Sequence, residues 1–260
     1  LFAVFEHASS RKLDPQLHSH CLLLNLTYQN GKEFSSLETL KLHQYQKVLG
    51  VMYRNELSHQ LTKKLNLSIQ HDDEFFKIRT VPDELCKRFS KRSDEITEAI
   101  AEKALISNST TKGKAALFTR DKKVHLPREA LHQYWKVESE NWIPKYPENA
   151  FQNDYKLSDF KSEMLSELVE QQSIFQHKHL LEVVNKYAQW LGLGIDVALD
   201  YLTQLERDNE VVTLIHPSFG ECYTTQAQLE LEKNFYIEAV EYSAQKSHAM
   251  SYQLSPDSTL

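Results

Sequence analysis

Two histidines a single residue apart, His18 and His20, constrain this chain more than any other feature in it. On a strand, residues i and i+2 face the same side, about 7 Å apart along its direction. Residues 17–28 are rich in Leu and Thr and read as a strand, and residues 1–7 alternate well enough to be another. Between them lies a polar stretch containing Asp14-Pro15, a turn signal. A loop of that length returns the chain beside its first strand and brings His7 next to the pair. Three imidazoles converging from two adjacent strands leave open coordination positions, as catalytic metal sites require. His-x-His also arises by chance, and a lone strand histidine is commonly satisfied by a carbonyl. Spacing alone therefore leaves metal binding and ordinary packing evenly matched.

The rest of the chain reads as α+β. Asn30-Gly31 is the strongest hairpin dipeptide, and Lys32-Glu33-Phe34 begins the next strand. Apolar spacing turns helical across residues 37–67. Residues 69–78 read as a short strand pair turning at Asp72-Asp73. Pro82 suits the first turn of a helix over 83–89, and Ser90 or Ser93 can cap the next, running to Ala104. Residues 107–114 are expected to be a polar loop, with a helix from about Lys114 carrying Thr119-Arg120-Asp121-Lys122-Lys123. Pro127 opens a further helix over 128–136. These elements form an expected first domain, 1–136, followed by a linker over 137–157 that contains Pro144 and Pro147. Helices over 158–171, 176–190 and 196–207, then a strand pair turning at Pro217-Ser218-Phe219-Gly220, have the order of a winged helix. That module is expected over 158–225, with a final helix and polar tail over 226–260. His177-Lys178-His179 falls on a helix, which sends its two imidazoles to different faces. Like His43, His59 and His125, these two read as ordinary surface residues.

The net charge of −6 hides an asymmetry: residues 1–135 hold 21 basic against 16 acidic side chains, and the remainder hold 9 against 20. The first part can approach a phosphate backbone and the second is repelled by it. The third helix of the winged-helix-like module and its flanks carry Asp196, Asp200, Glu206, Asp208 and Glu210 against Arg207 alone, which suits a spacer or protein contact better than DNA. Cys21, Cys86 and Cys222 are few, odd in number and far apart, so a reducing, cytoplasmic setting is expected. No apolar run is long enough to insert in a membrane. A strand-like start without an initiator methionine suggests a piece of a longer protein.

Phe5-Glu6-His7-Ala8-Ser9-Ser10-Arg11, followed by Asp14-Pro15-Gln16-Leu17-His18-Ser19-His20, resembles the metal motif of the TrwC/TraI-type conjugative relaxases, the MobF class. Ser19 stands where that family usually has threonine. Ser90-Lys91-Arg92-Ser93 and Ala116-Leu117-Phe118-Thr119-Arg120 with Lys122-Lys123 resemble later segments of the relaxase domain. Residues 164–232, with Ile174-Phe175 and Tyr223-Thr224-Thr225, resemble the small module that precedes the helicase in those two-part proteins.

The resemblance implies an antiparallel relaxase palm, shortened at its amino-terminal end. It implies an enzyme that nicks one DNA strand at an origin of transfer, where a tyrosine attacks a phosphate polarised by a divalent ion, Mg, Mn or Zn. By position, His7, His18 and His20 would be the ligands, with Asp14 and Glu6 as carboxylates able to accept an imidazole N–H. Arg11, Lys12, Lys91, Arg92, Arg120, Lys122 and Lys123 are candidates for phosphate contacts. The partners implied are single-stranded DNA at an origin of transfer and other conjugation proteins. The family's nucleophilic tyrosines lie upstream of this motif, so no catalytic residue is assigned here and the chain alone is expected to be inactive. No Gly-x-x-x-x-Gly-Lys-Ser/Thr signature marks a helicase. The competing reading is a non-catalytic remnant that binds metal or single-stranded DNA. An unrelated three-histidine hydrolase is disfavoured, because no general base stands near the motif.

Overall fold

The computed structural model describes residues 2–29, 33–72, 74–103, 106–120, 124, 126–143, 154–218 and 220–244. It divides into two units. The first comprises Leu1–Gln44 and Gln60–Gln152, and the second Tyr45–His59 and Asn153–Leu260. Tyr45–His59, which the sequence reading keeps in the first domain, groups with the second unit.

The first unit opens with β1 (Phe2–Ser9) and β2 (Pro15–Leu23), paired antiparallel as a two-stranded sheet. The strand expected to run on to Tyr28 instead breaks after Leu23. The Leu26 amide donates to the Leu24 carbonyl at 2.8 Å, a tight three-residue turn. The Asn25 side chain then accepts the Leu37 amide at 2.9 Å. A second hairpin follows, β3 (Thr27–Gln29) with β4 (Glu33–Ser35). Its predicted Asn30-Gly31 turn lies outside the described residues. β5 (Ile69–Asp72) and β6 (Phe75–Ile78) form the third hairpin, where the sequence places a strand pair; Asp73 of its turn is not described.

The helices of this unit are α1 (Leu40–Gln44), the end of α2 (Gln46–Leu65), α3 (Asp83–Arg88), α4 (Lys91–Glu102), α5 (Ser109–Phe118) and α6 (Arg128–Glu138). Pro82 sits at the N-cap of α3, one position before the first turn. Two helix boundaries differ from expectation for capping reasons. Residues 107–114 are not a loop: the Asn108 side chain accepts the Thr111 amide and the Thr111 hydroxyl accepts the Asn108 amide, both at 2.9 Å. That reciprocal cap starts α5 at Ser109. The helix ends before Thr119-Arg120, while Lys122 and Lys123 lie outside the described residues. Ser90 precedes α4 but does not cap it with its side chain, because its hydroxyl donates to the Cys86 carbonyl at 2.7 Å. Buried apolar side chains here are few among the described residues: Leu67, Ile69, Ile100, Ala115 and Leu131.

The second unit holds the larger core. A 3-10 turn (Leu157–Phe160) leads into α7 (Lys161–Val169), α8 (His177–Leu191) and α9 (Ile195–Arg207). Strands β7 (Val211–His216) and β8 (Gly220–Thr225) pair antiparallel, and α10 (Gln226–Ala244) closes the described chain. Met164, Leu180, Val184, Ala188, Ala198 and Leu205 are almost fully buried and interlock the three helices. Leu157, read from sequence as the end of a linker, belongs to this core. Phe175 and Tyr223 exchange backbone hydrogen bonds at 2.8 Å, an isolated bridge on the free edge of β8. Three helices, a flanking bridge and a hairpin follow in winged-helix order. The first part of α2 packs with this unit through a polar seam. Asn55 donates to Asn185 at 2.9 Å and accepts the Gly194 amide at 3.1 Å, all of it buried. No helix of the described chain is long and apolar enough to cross a membrane.

Candidate metal centre

The β1–β2 register sets His7 opposite His18 and Phe5 opposite His20. Cross-strand partners share a face, and so do residues two apart. All three imidazoles therefore stand on one side of the sheet. Ring centroids are 5.3 Å apart for His7–His18, 4.5 Å for His7–His20 and 5.0 Å for His18–His20. One ring nitrogen from each lies within 4.8 Å of the other two. Ligands bound at about 2 Å must sit within about 4 Å of each other, so small side-chain rotations bring these three to bonding distance. His7 and His18 are half-buried and His20 is exposed, which leaves one side of the cluster open for further ligands.

Past His7 the pairing shifts. The next pair is Ser9 with Pro15, so Gln16 and Leu17 together stand opposite Ala8. Such a bulge takes a residue out of the ladder and re-aims its neighbours. Here it frees the Gln16 carbonyl, which lies 2.8 Å from Nδ1 of His18. A carbonyl only accepts, so Nδ1 carries the proton and Nε2 keeps its lone pair for a metal. That is the usual division of labour in a metal-bound imidazole. Sequence reasoning missed this partner because it is a backbone atom with no side-chain signature.

The two carboxylates expected to support the histidines stand elsewhere. Glu6 pairs with Ser19 on the opposite face of the sheet and is exposed. Asp14 is only 4% exposed, and its Oδ2 accepts the Ser10 hydroxyl at 3.1 Å and the Arg92 amide at 3.3 Å. It holds the loop rather than a ring.

Three of the expected phosphate-binding cations are engaged within the unit. Lys12 pairs with Glu95 at 2.9 Å, which holds the Glu95 carboxyl below its usual range. Lys91 bonds Glu138 and the Tyr134 hydroxyl, each at 2.8 Å. Arg92 donates to the carbonyls of Ala116 at 2.7 Å and Thr119 at 2.8 Å, and also meets Glu95. Its guanidinium joins α4 to the negative end of α5, a structural use that leaves little for DNA. Arg120 is exposed and Arg11 half-buried. Lys122 and Lys123 fall outside the described residues.

A family model, TrwC relaxase, matches residues 1–142. The multifunctional conjugation protein TraI of Escherichia coli K12 is 30% identical over 145 residues, which cover 52% of this chain and 8% of that protein. Among solved structures, TrwC complexed with a 27-mer DNA comprising the recognition hairpin and cleavage site aligns with a TM-score of 0.51 and 29% identity. That match covers 56% of this chain and 53% of TrwC. A copper-bound complex of TrwC with origin-of-transfer DNA gives 0.51 and 28%, covering 56% and 51%. The chain thus spans about half the length of these relaxase structures and under a tenth of that curated relative. With its family match covering more than half its residues, this chain belongs to the TrwC relaxase family.

Proposed function

We propose that this chain carries the metal half of a conjugative relaxase, acting on single-stranded DNA at an origin of transfer. His7, His18 and His20 would hold a divalent ion that offsets the negative charge building on a scissile phosphate. The observation that supports this most is the convergence of the three rings on one face of a two-stranded sheet, open on the His20 side. The donor set is all imidazole nitrogen, which suits Zn best; Mn and Mg prefer oxygen ligands and would complete their shells with water or phosphate oxygen. The copper-bound TrwC complex accords with a nitrogen-rich site.

The chain's own residues do three things in this reading. The Gln16 carbonyl holds His18 in the tautomer that points Nε2 outward. The sheet register fixes the spacing of the rings. The basic excess of the first unit draws in the phosphate backbone, with Arg11, Arg120, Lys122 and Lys123 as the cations proposed to meet it. The attacking tyrosine of the family belongs to a segment upstream of the motif, so the attack itself is not assigned to a residue of this chain. The setting proposed is the cytoplasm, where such DNA is processed.

The test is fluorescence anisotropy with a labelled single-stranded oligonucleotide, with and without Mn²⁺. Binding about tenfold tighter with metal, in the unsubstituted chain but not in His18→Ala/His20→Ala, is expected. Binding that ignores both the metal and the substitutions would overturn the reading.

A further inference from the structure

We propose that Trp135 and Asp14 are positioning residues for the histidine cluster, acting as a two-point clamp on the loop that joins its strands. The inference rests on the metal reading given above. The loop runs over residues 10–14, and α6 and α4 each hold one of its last two residues. From α6, the Trp135 indole N–H donates to the Leu13 carbonyl at 2.5 Å. From β2's edge, the Asp14 carboxylate accepts the Arg92 amide in the first turn of α4. Asp14 thereby supplies the cap that Ser90 withholds, and its charge sits at the positive end of that helix.

Three observations separate this clamp from ordinary packing. Leu13 is held at φ +62°, a conformation that β-carbon-bearing residues avoid and that persists only where the surroundings impose it. Asp14 is buried with Oδ1 unpartnered, an arrangement that costs stability and calls for a compensating role. Trp135 is not a core side chain. It lines a groove of about 600 Å³ with Pro15, Phe89 and Trp142, so its indole N–H, more than its bulk, is what the loop uses.

The route from clamp to metal ligand is short. Asp14 leads directly into Pro15 and the bulge, and the Gln16 carbonyl that orients His18 is two residues on. The same loop sets how β1 returns, and so where His7 falls opposite His18. A two-stranded sheet is marginal by itself. With the clamp released, the pairing and the Gln16–His18 bond lose their anchor, and the three nitrogens spread. A direct partner of a ligating imidazole, as the Gln16 carbonyl is to His18, is typically worth about 10- to 100-fold in metal affinity.

The experiment compares the full chain with Trp135→Phe, Asp14→Ala and Asp14→Asn. Gln133→Ala, an exposed position on α6, serves as a control that alters that helix without touching the loop or α4. Mn²⁺ affinity is read by calorimetry, the Co²⁺ visible spectrum reports ligand geometry, and amide exchange in β1 and β2 is measured without metal. Trp135→Phe should bind Mn²⁺ about tenfold more weakly, change the Co²⁺ spectrum and speed exchange, with its far-UV spectrum unchanged. Asp14→Asn, which keeps an acceptor, should recover part of what Asp14→Ala loses. Unchanged affinity and spectrum in Trp135→Phe, or an equal loss in Gln133→Ala, overturns the clamp even if Asp14→Ala fails to fold. No Mn²⁺ uptake by the unsubstituted chain overturns the metal reading instead. The clamp is then decided by exchange alone: faster in Trp135→Phe supports it, and unchanged rejects it.

Discussion

Tyr201, on α9, is 8% exposed and its hydroxyl has no hydrogen-bond partner among the described residues. Burial, then the charges of Glu210, Asp159 and Asp208, push its phenol up to about 12, so it stays protonated across the working range. Removing a buried polar group that lacks a partner relieves a desolvation cost. Tyr201→Phe should therefore leave urea stability unchanged or raise it by up to about 1 kcal/mol; a clear loss would reveal a partner for the hydroxyl. His179, on α8, behaves oppositely to a salt-bridged histidine. Burial lowers its pKa below 6.5, helped by Lys178 and Lys47 and opposed by Glu182. The unfolded chain takes up a proton that the folded chain refuses. Its contribution to stability is complete above about pH 6.5 and is lost as pH falls from there through the lower folded value. His179→Gln should flatten the melting temperature against pH between 7 and 5, and an unchanged slope would place the titration elsewhere. At this scale the sequence was informative where the period-two geometry of a strand did the work, as with His18 and His20. It was uninformative where the partner was distant. Asp14 meets an amide 78 positions away and Trp135 a carbonyl 122 away, separations that no local pattern reports.

Among the elements, the short buried seam between α2 and α8 shows how polar contacts specify packing. The Asn55 amide nitrogen donates to Asn185 while its oxygen accepts the Gly194 amide, and Asn185 in turn donates to the Leu181 carbonyl at 2.9 Å. Gly194 has φ +88°, and a β-carbon there would meet the His59 ring at 3.0 Å, so the close approach requires glycine. His59, which reads as a surface histidine, is instead tied by Nδ1 to the Gly192 carbonyl at 2.8 Å. Asn55→Ala strands two buried groups and should cost about 2–6 kcal/mol in urea unfolding, at about 1–3 per group. A loss under about 1 kcal/mol would mean that water or a shifted neighbour replaces it. Helices with an apolar stripe were legible, as α8 and α9 show. The start of α5 was not. Ser-Asn-Ser-Thr-Thr has the composition of a loop, and only the Asn108–Thr111 reciprocal cap makes it a helix. The long strand expected after residue 17 failed for a similar reason, since Leu enrichment gives no sign of the turn at Leu24–Leu26.

At the scale of the molecule, the charge asymmetry follows the family match. The basic excess lies in the part that matches the TrwC relaxase model, and the acidic second unit exposes Asp196, Asp200 and Asp208 along α9 and its end. Oligonucleotide binding should weaken with salt, and a steep slope is expected to be flattened by Arg120→Ala with Lys122→Ala, not by charge removal on α9. A slope unaffected by the first pair would move the contact away from those cations. The grouping of Tyr45–His59 with the second unit depends on Asn185 and Gly194, far along the chain, which no local pattern reports. The central claim is that His7, His18 and His20 form one metal site, and calorimetric titration with Zn²⁺ or Mn²⁺ tests it most directly. The account predicts binding of one ion per chain and its loss in His18→Ala/His20→Ala, with folding intact. Equal binding by the chain with and without those two imidazoles would contradict it.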